Sequence, residues 1–292
     1  MVFERKTRQR KVTMAISFNE STIESEAFGS GARRQRLSSR ERVPETNVVL
    51  DRVTLSSGGK VALAVGNGDI GWLQMIAGEA TLWLEGSEER LSDTHVALLP
   101  PGRTAGLRSH SGAVLIQLTV PRAGRFDAAF AQSPPRFRAL DWSREPVLDS
   151  RHDARKRIYL VTPKLFGTKA LKGEMIIYPQ GTVAANHHHE GAEHFMYILR
   201  GRGTAWANER PFPVQAGDVV FYRDRERHYL KADEDAELAF SEFFVPGEYQ
   251  TVWVNPNEVC TWVPTGRDIR GRTPAREIEA HSSAVFATPS DV

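Results

Sequence analysis

Three scarcities narrow the field at once. Cys260 is the only cysteine among 292 residues, so neither an intrachain disulfide nor a thiolate metal cluster can form. No apolar run approaches the roughly 18–20 residues that a membrane span needs, which excludes a helical membrane protein. Net charge is small too: 38 Lys and Arg against 36 Asp and Glu leave +2, too little to imply a nucleic-acid partner. What excess there is sits in residues 1–45, which hold ten basic and six acidic residues. The pI of about 8.7 therefore describes an arm and not a binding face. With 40% hydrophobic and 25% charged residues the remainder has an ordinary globular balance.

The arm opens with a basic run from Phe3 to Lys11, lacks an apolar segment of secretory length and carries Glu20, Glu24 and Glu26. It reads as a solvated flexible tail, or as an arm packed on a partner subunit, and the chain as cytoplasmic. From Asn47 onward, short apolar runs alternate with Gly, Pro, Asn and Asp. One series covers 46–122 and a second 158–250, with a linker at 123–157 around Ser133-Pro134-Pro135 and an extension at 251–292. Many short strands at regular spacing predict an all-β chain.

The two series superimpose. At an offset of 123, residues 72–105 fall on 195–228 without a gap, matching Gly78 to Gly201, Thr81 to Thr204, Trp83 to Trp206 and Val96 to Val219. Identical residues at matched turns and strands point to duplication of one β-domain.

Four of the nine histidines lie within eight residues: His187, His188, His189 and His194, with His228 further on. Side chains at i and i+2 of a strand share a face, so His187 and His189 point together. A hairpin at Glu190-Gly191 would return His194 on the neighbouring strand. Converging imidazoles suit a divalent transition metal. The third ligand has two registers. Counting forward from His189 reaches Glu193; counting back along the strand from Gly201 reaches His194, which alternation sets on one face with Met196 and Ile198. The backward count crosses only strand, so His194 is favoured and Glu193 is the alternative ligand or a nearby acid/base.

These residues resemble the cupin superfamily. Gly181 followed by five residues and His187-His188-His189 fits the opening of its first motif, and Gly217 to His228 fits the second. Arg223 and Arg225 stand where that motif has Pro and Gly, which predicts an altered turn. The resemblance implies two tandem cupin (double-stranded β-helix, jelly-roll) barrels. At the 123 offset the ligands of the second fall on Ala64, Gly66, Gly71 and Ala105 of the first, so the N-terminal barrel should hold no metal.

The string Glu193-His194-Phe-Met-Tyr-Ile-Leu-Arg-Gly201 is similar to that of the ureidoglycine aminohydrolases, a bicupin family that uses manganese. A ligand set of His187, His189, His194 and His228 departs from that family and suits Fe(II), Ni, Cu or Zn better than Mn, which prefers oxygen donors. Cupins with all-histidine sites imply a non-haem Fe(II) dioxygenase acting on a small catechol-like or keto-acid substrate, with Glu193, Tyr178 and Tyr222 as proton-transfer or supporting groups. A manganese-dependent hydrolase or isomerase, or a non-catalytic binding protein, are the alternatives. One metal per chain and a homodimer or larger homo-oligomer complete the expectation. Ile176, Met196, Ile198, Trp206 and Phe240 are candidate lining residues.

Overall fold

The computed structural model describes residues 15–279 and 281. It is almost entirely strand; the one α-helix among the described residues is the single turn Pro163–Phe166. The strands form two curled antiparallel jelly rolls, as the sequence predicts.

In the N-terminal barrel the long strand Val49–Ala64 pairs first with Ala113–Val120 and then with Thr104–Arg108. Ile70–Gly78 lies between Ala113–Val120 and His95–Leu99, and Ala80–Leu84 pairs with Ser87–Leu91. Alternation along these strands fills two apolar spaces. Leu73, Met75, Ala97, Leu99 and Leu115 point into the barrel, where most of the buried lining is aliphatic and Asp51 and Gln117 are buried on the same strand faces as Val53 and Leu115. Ile70, Trp72, Val96, Leu98, Ile116 and Leu118 point the other way into a core shared with the second barrel. There Trp72 meets Phe243 edge-on at 4.8 Å, and Ser241 donates to Gln74 at 2.8 Å. A sheet buried on both faces loses the apolar/polar alternation of a half-exposed one.

The duplication is visible in the backbone. The bulge between Met75 and Ala77 recurs between Ile198 and Arg200, and Gly78 (φ 76°) recurs as Gly201 (φ 79°). Both glycines are enforced by packing. A Cβ on Gly78 would lie 2.2 Å from the Gly112 carbonyl, and one on Gly201 would lie 1.6 Å from that of Glu237.

Three expectations are corrected. The arm is not a loose tail where it is described. Ile16–Asn19 pairs with Asp218–Tyr222 of the second barrel, and Glu26–Ser38 pairs with Val49–Ala64 of the first. Several of its charges are matched locally, with Arg36 on Asp51 and Glu20 taking both Arg52 and the Tyr197 hydroxyl. The basic run at 3–11 lies outside the described residues. The linker supplies Arg138–Asp141 to the first barrel's sheet and Leu148–Ser150 to the second's. The extension is part of the second barrel: Gln250–Trp253 pairs with His187–Glu190, and Trp262–Pro264 with Leu148–Ser150.

Candidate metal centre

His187–Glu190 lies between Gln250–Trp253 and His228–Ala232, with His187 directly opposite His228. Glu190-Gly191 is therefore not a hairpin turn. It carries the chain across to Glu193–Ala207, whose first half pairs with Asp218–Tyr222 and Leu238–Val245. His194 arrives opposite Tyr222 and Phe244, on the inward face with Met196 and Ile198.

His187, His189 and His228 each bring a ligating nitrogen within 4.8 Å of the others. The tautomers follow from the neighbours. Nδ1 of His187 donates to the Ala185 carbonyl (2.8 Å) and Nδ1 of His228 to the Glu226 carbonyl (2.8 Å), because a carbonyl can only accept. Nδ1 of His189 is held by Thr251 Oγ1 at 3.1 Å. Nε2 of His187 and Nε2 of His228 are thereby left as lone pairs, the arrangement by which histidine ligands are usually oriented. Burial pushes the pKa of all three well below the ordinary histidine value, which keeps them neutral. The donor set thus fits a divalent transition metal in chemistry as well as in position.

His194 stands outside that mutual set but touches it, its Nδ1 3.1 Å from Nε2 of His228. Two donors at right angles on an ion with bonds of about 2.1 Å would be about 3 Å apart. On its other side Nε2 of His194 lies 3.0 Å from Oε2 of Glu242. Burial holds His194 down to about 3 and pushes Glu242 up. A neutral His194 carries one ring proton: placed on Nε2 it is donated to Glu242, which leaves Nδ1 as a lone pair beside that of His228 and open to the same ion.

Glu193 faces away. Both its oxygens accept from the Asn47 backbone N–H (3.0 and 2.9 Å) and one from Thr46 Oγ1 (3.3 Å), at the contact between the barrels. Burial raises its pKa to about 7 despite those bonds. Tyr222 is buried and stacks on His228, rings 4.3 Å apart, and its hydroxyl has no partner among the described residues. The Tyr178 hydroxyl takes a hydrogen bond from Arg155 at 3.3 Å, and burial raises it to about 12. Ile176, Met196, Ile198 and Phe240 are buried in the core, whereas Trp206 stacks on half-buried Tyr229 at 4.5 Å.

The sequence reading missed the barrel's charged wall. Glu174 is the register partner of Glu242 and pairs with Arg157 at 2.9 Å. Lys172, opposite Phe244, bonds the Tyr249 hydroxyl at 2.9 Å. Tyr249 stacks on Phe244, and His189 meets both rings edge-on. The turn before His228 also differs from expectation. Arg225 adopts φ 63°, the left-handed value that Gly102 (φ 70°) has at the matching place in the first barrel. Its N–H donates to the His189 carbonyl at 2.8 Å, so the shape of the turn is retained with arginine in the glycine position.

These features define a β-barrel protein whose histidine centre, among the described residues, lies in the second half. Residues 173–245 match the family model described as "Cupin domain". Protein Ylba from E. coli is similar in structure, with a TM-score of 0.64 and 16% identity over 82% of this chain and 94% of that one. Structures of Bacillus subtilis oxalate decarboxylase are similar too. One variant aligns with a TM-score of 0.67 and 15% identity, over 85% of this chain and 81% of that one. No curated protein sequence matches. Residues 173–245 are a cupin domain, and the chain as a whole has the bicupin fold.

Proposed function

We propose that the chain is a metal-dependent enzyme whose centre is His187, His189, His228 and His194, and that it acts as a dioxygenase on a small anionic, metal-chelating molecule. The observation that carries the reading is the contrast between the barrels. The first is filled mainly with aliphatic side chains and brings no histidines together among the described residues, whereas the second turns oriented imidazoles, an unpartnered tyrosine hydroxyl and a charged wall inward. An all-imidazole set suits Fe(II), Ni, Zn or Cu better than Mn, and the dioxygenase reading takes Fe(II) among them. Such an ion supplies Lewis-acid and redox chemistry. The Tyr222 hydroxyl, placed over His228, would orient the substrate, while Lys172 and Arg157 would favour an anionic one. Glu242 would keep the His194 tautomer fixed.

The oxalate decarboxylase likeness supports a second reading, non-oxidative cleavage of a small carboxylate, because the wall beside the histidines carries two cations. A manganese-dependent hydrolase of the ureidoglycine aminohydrolase kind is a third. The test is elemental analysis of freshly purified protein, followed by assays of the loaded enzyme against panels of keto acids, catechols and ureido compounds. Iron with substrate-dependent oxygen uptake supports the dioxygenase. Manganese with ammonia release, or carbon dioxide release without oxygen uptake, replaces it with one of the other two.

A further inference from the structure

A cavity of about 300 Å³ lies where the segment 36–49 crosses the end of the first barrel near residues 121–125, apart from the histidine centre. Four arginines line it, Arg36, Arg40, Arg122 and Arg125, against a single carboxylate, Glu41. Arg36 is committed to Asp51. The other three have no carboxylate within 4.0 Å among the described residues. Arg40 donates only to the Thr46 carbonyl (3.2 Å), and Arg125 only to Asn47 Oδ1 (2.8 Å), while lying over the Phe126 ring at 4.3 Å. The Arg122 side chain has no hydrogen bond among the described residues, and its backbone, at φ 50°, is held by Asp69 Oδ1 on its N–H.

Like charges that outnumber their counter-charge repel, and that cost is reduced when an anion joins them. Burial, then the proximity of Arg122 and Arg40, lower the Arg125 pKa, and the Glu193 carboxylate opposes them only in part. Guanidiniums arriving from two separate segments can each offer paired donors to a different oxygen of one group. A tetrahedral dianion can use three such forks, whereas a lone carboxylate can use one or two.

We propose that this cavity is a binding site for a phosphate group, either inorganic phosphate or the phosphate of a small monoester, held by Arg40, Arg122 and Arg125 and distinct from the histidine centre. The side chain of Asn47 and Ser39, at the cavity wall, would supply neutral contacts.

The experiment titrates inorganic phosphate, and in parallel glycerol phosphate, into the metal-loaded protein at constant ionic strength, with chloride as the reference anion. Binding is read by calorimetry and by melting temperature. Saturable binding at one site per chain is expected. It should weaken at least tenfold in Arg122→Gln and in Arg125→Gln, both exposed positions where folding is not at stake, and be unchanged in His228→Ala and in Arg103→Gln. Tighter binding of the monoester than of free phosphate would identify the source as an ester. No saturable binding at millimolar phosphate, binding indifferent to the two arginine variants, or binding abolished by His228→Ala alone would each overturn the assignment.

Discussion

Single residues in this chain divide by which way a strand turns them. Glu193 and His194 are adjacent, and the pleat sends one to the contact between the barrels and the other to the histidines. Metal content of purified variants should follow that division: His194→Ala loses tight binding and Glu193→Gln retains it. Glu193 also predicts a pH effect. Its folded pKa is raised to about 7 from 4.5, so its contribution to stability is complete below pH 4.5 and is lost as the pH rises toward 7 and above. In Glu193→Gln that decline should vanish from denaturation midpoints measured across pH 4.5–8. A third residue, Arg225, sits at φ 63°, where a side chain costs about 1 kcal/mol or more and glycine does not. Its ion pair with Glu190 is long, at 3.4 Å, and exposed, so little is lost with it. Arg225→Gly should therefore raise the urea midpoint by an amount equivalent to about 1 kcal/mol.

Elements show how far the sequence could be read. The i, i+2 pair His187 and His189 was legible because a strand allows only two faces, and the 123-residue offset matched the turn glycines Gly78 and Gly201, whereas the bulge before each was not legible. Glu242 was not legible. Its strand, Leu238–Val245, is buried along its whole length, one face inside the barrel and the other against Trp72, so periodicity carries no information about which way Glu242 points. Glu174 on Lys172–Tyr178 was hidden for the same reason. The arm misled by composition, because strand Glu26–Ser38 sets its arginines against Asp51 and Glu26 and not against water. The sheet contact should be costly to breach: Trp72→Ala is expected to destabilise by about 3–5 kcal/mol in equilibrium unfolding. Cutting the chain after Glu248 removes Thr251 and the partner strand of His187–Glu190, and metal content should fall with it.

At the scale of the molecule, the two barrels differ in what they turn inward. Among the described residues the cluster of metal-ligating side chains lies in the second, so purified protein should carry one metal per chain, and a measured value near two would contradict the division. Because the ligands come from strands far apart in sequence, the ion binds the folded chain selectively. At a free concentration one hundred times its Kd it should add about 2.7 kcal/mol of stability. Chelation should lower Tm accordingly, and lower it much less in His228→Ala.

The pairing of Ile16–Asn19 with Asp218–Tyr222 has a consequence for biosynthesis. Ile16 lies opposite Phe221, so its partner strand leaves the ribosome some two hundred residues later. At about 5–20 residues per second that is a delay of roughly 10–40 s. In that interval the first barrel has all of its strands except Arg138–Asp141 by residue 120 and can close early, before Ile16–Asn19 meets its partner. Synthesis order thus leaves a strand that precedes the first barrel to be fastened beside the strand of His194 once Asp218–Tyr222 has been made.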